Sequence, residues 1–157
     1  MPYDVQIREV SQQTFAAVRG QANAHNIGDR IIALLSEVWD FLKDPGIRQT
    51  GHNVVLYSDE ASKVLLTTDE EVPIEVGVQV ATPFESTGRV VCSVIPGGTV
   101  ATVVHLGPYP KLPEAHTAVR EWCAEHGHAL AGPNWEIYGH WTDNPDELRT
   151  DVFYLLK

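Results

Sequence analysis

The chain has 157 residues, of which 43% are hydrophobic and 20% charged, so it can bury a real core as one domain or as two small halves. Eleven Lys and Arg against 21 Asp and Glu give a net charge of -10. This charge argues against binding to nucleic acid, which requires a basic face, and against anionic membrane surfaces. Cationic or neutral partners are favoured instead.

The N-terminus has neither a basic start nor an apolar segment of the kind found in signal peptides. The apolar runs are only a few residues long, far short of the roughly 20 needed to cross a bilayer. Cys92 and Cys123 show no CxxC spacing, and the seven histidines show no metal-binding pattern. We therefore expect a cytoplasmic protein without a metal or another cofactor.

The hydrophobic pattern predicts strands over 5–10 and 14–19, a helix over 27–43, and strands over 53–58 and 74–82. The same order follows in the second half: strands over 89–95 and 99–106, a helix over 112–126, and strands over 135–141 and 151–156. Turn signals separate the strands of the second half, and Gly132-Pro133-Asn134 is one of them.

Residues 46–57 align without gaps on residues 127–138, which indicates an internal repeat. Tyr57 then corresponds to Tyr138, and residues 13–18 match residues 98–103. The fold class is therefore α+β. We expect one domain over 1–157 with halves 1–86 and 87–157, each a β-β-α-β-β unit. The two units would form one curved antiparallel sheet with both helices on the same side.

Glu136 stands out in this repeat because its counterpart is the apolar Val55. A buried carboxylate in a central strand costs several kcal/mol unless a partner, a water-filled cavity or a ligand compensates. The alternative is a glutamate at the rim of the sheet that reaches solvent. If Glu136 is buried among apolar neighbours, its pKa should lie above about 4.3, unless a cation lies nearby.

Three segments, 95–101, 105–109 and 132–138, resemble the GyrI-like small-molecule-binding domain, which also serves as the effector-binding domain of multidrug-sensing bacterial transcription regulators. The resemblance extends over essentially the whole chain. It implies a curved sheet with an aromatic-lined cleft that takes hydrophobic, often cationic molecules. It also implies that Glu136 supplies negative charge to that cleft.

The resemblance and the repeat together give the candidate ligand-binding residues, for several of which core packing is the alternative. Tyr138 shares the strand face of Glu136, Tyr57 is its repeat counterpart, and Tyr109 borders the cleft at the start of the second helix. Two tryptophans on or near the helix stripes complete the set, namely Trp39 and Trp122. We interpret His105 as a hydrogen-bonded structural residue.

Sequestration or sensing of a hydrophobic small molecule is the function that this resemblance favours. Some stand-alone GyrI-like proteins instead hydrolyse cyclopropane-bearing DNA-alkylating natural products, and Glu136 and Tyr138 would then be catalytic. A third reading is a protein partner, DNA gyrase, because the family takes its name from a DNA gyrase inhibitor. The first strand begins almost at Met1, which predicts the stand-alone form without a helix-turn-helix segment.

Overall fold

The computed structural model of the protein describes residues 3–43, 49–57, 71–86, 88–140 and 142–157. It contains the two predicted helices and the eight predicted strands, so the α+β class is confirmed. Ser58 and Trp141, which end two of the predicted strands, lie outside the described residues. The elements are β1 Gln6–Val10, β2 Gln13–Ala22, α1 Ile27–Phe41, β3 Gln49–Tyr57, β4 Val72–Val80, β5 Val90–Ile95, β6 Gly98–Leu106, α2 Leu112–Glu125, β7 Leu130–Tyr138 and β8 Arg149–Leu156.

The turn predicted at residues 132–134 is wrong, because these residues lie inside β7. The pairing of β7 with β8 shifts register between Leu130 and Asn134, and Gly132 has a φ of 122°. Glycine and proline are typical of such a β-bulge, so they mark an irregularity within the strand and not its boundary. β3 shifts register against β4 at the equivalent place in the first half, between Gln49 and Asn53.

All strand pairs are antiparallel, and the sheet has the order β1-β6-β8-β7-β3-β4-β2-β5. In the repeat, β1 to β4 correspond to β5 to β8. When each strand is replaced by its counterpart and the order is reversed, the same strand order results. At the centre, Val55 of β3 lies directly opposite Glu136 of β7. A pseudo-twofold axis through this pair relates the two sides. The symmetry supports the division into halves near residue 86, which stays a prediction of the sequence.

Both helices cover the same face of the sheet. Residues paired directly across antiparallel strands share a face, so Val76, Val55, Glu136 and Val152 form one row across the central strands. α1 packs on the first-half end of this face with β2, β3 and β4, and α2 packs on the second-half end with β6 and β8. The middle of the row, where Val55 pairs with Glu136, therefore lies between the two helices.

The opposite face forms its own core because the sheet is strongly curved. Phe15 of β2 and Val100 of β6 belong to one buried cluster with Trp135, although four strands separate β2 from β6 in the sheet order. The links β1–β2 and β5–β6 each cross between the two ends of the sheet. They meet at Gly97, where an added Cβ would lie 2.6 Å from the backbone nitrogen of Gln12.

This close approach predicts that Gly97→Ala destabilises the fold. The methyl group would press on the backbone of the other link, and overpacking of this kind costs about 1–3 kcal/mol or more. Urea unfolding followed by circular dichroism measures the loss. Gly28→Ala is the matched control, because a Cβ at Gly28 meets nothing within 4 Å and should change stability by less than about 1 kcal/mol. Equal stability of the two variants would contradict the crossing contact.

Candidate functional site

A cavity of about 520 Å³ lies on the helix-covered face between α1 and α2. Three strand residues line it from the sheet, Tyr57 of β3 and Glu136 and Tyr138 of β7. The first turns of the helices and the segments before them supply the remaining wall, which consists of Ala24, His25, Ile27, Gly28, Ile31, Tyr109, Pro110, Leu112, Pro113 and His116. The volume lies in the range of small-molecule sites, about 300–1,000 Å³.

The lining follows the pseudo-twofold symmetry of the sheet. Every lining residue between 24 and 31 has a lining counterpart 85 positions later, and α2 likewise begins 85 positions after α1. Tyr57 and Tyr138 form the strand pair of this set. The cavity is therefore centred on the axis that relates the two halves.

The chemistry of the cavity does not follow this symmetry. His116 is the counterpart of Ile31, and Glu136 is the counterpart of Val55, so an apolar pair in the first half is replaced by an ionisable pair in the second. The two ionisable side chains contact each other, with 2.6 Å between His116 Nε2 and Glu136 Oε2. At these two pairs of equivalent positions, the second half is therefore ionisable and the first half is apolar.

The carboxylate of Glu136 is buried, with 4% of its surface exposed, and accepts three hydrogen bonds. The hydroxyl groups of Tyr138 and Tyr57 both donate to Oε1, at 2.6 Å and 3.3 Å. The Nε2 of His116 donates to Oε2. These donors satisfy both oxygens, so the desolvation cost of the charge is offset within the protein.

The condition attached to the expected rise in the pKa of Glu136, that no cation lies nearby, is not met, because His116 contacts the carboxylate. Burial alone would raise the pKa of this carboxyl group, but the hydrogen bond and the charge of His116, together with the two tyrosine hydroxyls, hold it below its usual value. Burial and the neighbouring carboxylate raise the pKa of Tyr57 and of Tyr138 well above the usual value. Both phenols therefore stay protonated and can donate hydrogen bonds to Glu136.

The structure brings four of the six candidate residues to the cavity: Glu136, Tyr138, Tyr57 and Tyr109. The ring of Tyr109 meets that of Tyr138 edge to face at 5.5 Å and is 38% exposed. It combines contact with the cavity and access to solvent.

The structure does not bring Trp39 or Trp122 to this cavity. The indole of Trp39 donates a hydrogen bond to Asn53 at 3.1 Å, and Trp122 stacks on His126 with 4.2 Å between ring centroids. Trp39 is exposed beside the buried Val38, whereas Trp122 packs against the edge of the core under α2.

His116 is the site residue that the sequence analysis missed. It lies on the buried stripe of α2, one turn after Leu112 and just after Ala115. The signal was present, since extending the repeat into the helices places this histidine on Ile31, as the strands place Glu136 on Val55. A second buried histidine, His105, has the structural contacts expected of it, with Tyr3 at 2.8 Å and the carbonyl oxygen of Pro108 at 3.2 Å.

Within the part of the chain that the structure describes, no cluster of three or more histidine, cysteine or acidic side chains could hold a metal ion. Over the same residues, no helix is long and apolar enough to cross a membrane.

The profile of the GyrI-like small molecule binding domain matches residues 3–157, and the chain belongs to this family. No curated protein matches the sequence. The EcmrR C-terminal domain is similar in structure, with a TM-score of 0.84, 20% identity, and coverage of 100% of this chain and 99% of that one.

Two further structures show the same fold at lower similarity. SAV2435, solved with bound tetraphenylphosphonium, has a TM-score of 0.60 and 13% identity, with coverage of 100% of this chain and 94% of that one. A protein described as a hydrolase, encoded by lin2189 from Listeria innocua, has a TM-score of 0.61 and 14% identity over 99% and 93%. At these identities the likeness shows the fold alone.

The lowered pKa of Glu136 predicts a specific loss of stability in acid. A group with a depressed pKa in the folded state stabilises the fold above its unfolded value of about 4.5, and this stabilisation is lost as the pH falls through the folded value. Glu136→Gln should therefore cost about 2–4 kcal/mol at pH 7, and this cost should shrink as the pH falls below about 4.5. Urea unfolding at several pH values measures it. Glu125→Gln, at an exposed position on α2, should show no such change, and a constant cost for Glu136→Gln would contradict the prediction.

Proposed function

We propose that the protein binds hydrophobic, aromatic small molecules that carry a positive charge, with Glu136 at the floor of the cavity. The observation that carries the proposal is a buried carboxylate, held ionised by its hydrogen bonds, in the lining of a cavity of about 520 Å³. Sequestration or sensing of such molecules is the biological role that we infer.

The walls suit an apolar, aromatic molecule. Ile27, Ile31 and Leu112 offer aliphatic surface, and burial of a ligand against it contributes about 25 cal/mol per Å² of apolar area. Tyr109 and Tyr138 meet edge to face, which is a favourable arrangement for aromatic rings. Their ring faces can stack on an aromatic ligand or attract a cation.

The electrostatics favour a positive charge in the ligand. The carboxylate lies in a low-dielectric environment, where its interaction with a ligand charge is stronger than in water. The net charge of -10 raises the local concentration of cations around the whole protein. Family membership supports a small-molecule ligand, and the bound tetraphenylphosphonium of SAV2435, a hydrophobic cation, supports this ligand chemistry.

We also propose that the protein acts in the cytoplasm. Cys92 and Cys123 are both free thiols in the structure, as is usual in a reducing compartment.

Calorimetry with a charged and an uncharged probe tests the binding proposal. We expect wild type to bind tetraphenylphosphonium more tightly than the neutral triphenylphosphine oxide. Glu136→Gln should weaken binding of the cation by about 10- to 100-fold, or about 1.5–3 kcal/mol, because a charge-assisted contact is lost. Binding of the neutral probe should barely change.

Glu125→Gln is the control for this experiment, since it removes one negative charge from an exposed position outside the cavity lining. It should leave the affinity for both probes within about twofold of wild type. An equal loss for both probes in Glu136→Gln would show that the carboxylate does not select charge. If wild type binds neither probe, the proposed function fails.

Hydrolysis is the second candidate function, because Glu136 contacts both His116 and Tyr138 in the cavity lining. In that case Glu136 would orient or deprotonate a water molecule, and the Tyr138 hydroxyl would bind the substrate carbonyl. The described likeness to a Listeria innocua hydrolase is compatible with this reading. Glu136 is nevertheless a weak base, since its pKa is lowered and both its oxygens are hydrogen-bonded. Binding therefore ranks first.

Product formation from an activated cyclopropane, followed by chromatography, separates the two functions. If the protein only binds, wild type should bind the compound without product above the rate in buffer. If it is a hydrolase, Glu136→Gln should slow turnover by about 10²- to 10⁴-fold, and Tyr138→Phe should slow it as well. If wild type forms product and both variants do not, hydrolysis is favoured over simple binding.

A further inference from the structure

His116 links the cavity to a second buried side chain behind it. The imidazole is 4% exposed and lies between Glu136 and Tyr154 of β8. Its Nε2 is 2.6 Å from Glu136 Oε2, and its Nδ1 is 2.7 Å from the Tyr154 hydroxyl. Both ring nitrogens therefore have a partner.

This arrangement satisfies His116 with or without its extra proton. When the ring is neutral, Nε2–H donates to Glu136 and Nδ1 accepts a hydrogen bond from the Tyr154 hydroxyl. When the ring is charged, both nitrogens donate, and the hydroxyl oxygen of Tyr154 accepts, because a phenol can act in either direction. His116 can change its charge while it keeps both hydrogen bonds.

We propose that His116 is the specificity-determining residue that sets the charge of the cavity. With the imidazolium, the pair with Glu136 is neutral overall, and the cavity suits neutral aromatic ligands. With the neutral ring, the carboxylate charge is uncompensated, and the cavity suits aromatic cations. Binding of a cation then releases a proton from His116. This inference rests on the proposed binding function and names the ligand class at each charge state.

Other titratable groups around His116 do not supply the same change. Besides Glu136, the side chains that face it from the sheet are the phenols Tyr57 and Tyr154, and Tyr138 reaches the same carboxylate. The pKa values of the first two are raised, and imidazole is the side chain that normally changes charge between about pH 5 and 8.

The remaining charged or titratable neighbours come from the surrounding elements. On β6, His105 is engaged with Tyr3 and Pro108. On α2 itself, Arg120 lies one turn beyond His116, and Tyr109 precedes the helix. His25 lines the cavity from the α1 side, which makes it the natural control.

The repeat shows that the fold does not need an ion pair at this place. The counterparts of His116 and Glu136 are Ile31 and Val55, and the first half packs around them as an apolar cluster. Buried ion pairs contribute little net stability compared with apolar residues of similar volume. A role in ligand binding accounts for an ion pair at only one of the two equivalent positions.

Dissociation constants for tetraphenylphosphonium and triphenylphosphine oxide, measured between pH 5.5 and 8.5, test the inference. For wild type, affinity for the cation should rise about tenfold or more with pH as one nearby positive charge is lost, while affinity for the neutral probe stays constant. His116→Gln keeps a donor for Glu136 and an acceptor for Tyr154 but carries no charge. It should bind the cation at every pH as tightly as wild type does at pH 8.5.

His25→Gln makes the same chemical change on the other wall of the cavity and should keep the wild-type pH dependence. A flat profile for wild type, or a profile that His116→Gln leaves unchanged, overturns the inference while the binding proposal stands. A pH dependence that His25→Gln abolishes also overturns it. Absence of binding by either probe at every pH defeats both proposals.

A double variant keeps the test decisive if His116→Gln fails to fold. His116→Ile with Glu136→Val reproduces the apolar pair of the first half. It should fold, as the first half does around its apolar pair, and it should bind the cation weakly with no pH dependence. A persisting pH dependence of cation binding in this variant would overturn the inference.

Discussion

A single buried carboxylate imposes the main constraint on this structure. Glu136 lies at the centre of an eight-stranded sheet, where an unpaired charge would cost several kcal/mol, and the fold must supply donors to it from several directions. It does so with three side chains from three different elements: Tyr57 on β3, Tyr138 on β7 and His116 on α2. The register of β3 against β7 and the seating of α2 on the sheet are therefore both tied to one side chain.

The same three donors decide what the cavity can do. A fully hydrogen-bonded carboxylate provides a fixed negative charge for a ligand but is a poor base, because the contacts that keep it ionised also lower its affinity for a proton. The aromatic rings serve twice, since their hydroxyl groups bind Glu136 while their ring surfaces line the cavity. Stability and ligand selection thus depend on the same few contacts.

The sequence predicted the fold well because its signals are local and doubled. Hydrophobic periodicity predicted the helices and strands. The repeat made Val55 the counterpart of Glu136 and Tyr57 the counterpart of Tyr138, and the symmetric strand order agrees with this alignment. The turn predicted from glycine and proline at residues 132–134 was wrong, because a β-bulge favours the same residue types as a turn.

The partner of Glu136 could not be derived from the strands alone. A histidine on a buried helix stripe becomes informative only when the repeat is extended to align the two helices. The direction in which the pKa of Glu136 shifts depends on its contact with that histidine, which lies on another element. The two tryptophans were chosen for their residue type, and helix phase turns both away from the cavity.

The position of Val55 opposite Glu136 has a consequence for how such a cavity could arise. In a symmetric dimer of identical half-length chains, the residue on the axis would face its own copy. A glutamate there would bring two carboxylates together in a buried site, where like charges repel strongly. Covalent fusion of the halves lets the two copies diverge, so that valine stands on one side and glutamate on the other. A chain with two tandem halves can therefore place one charge on the axis, whereas a symmetric homodimer would always place two.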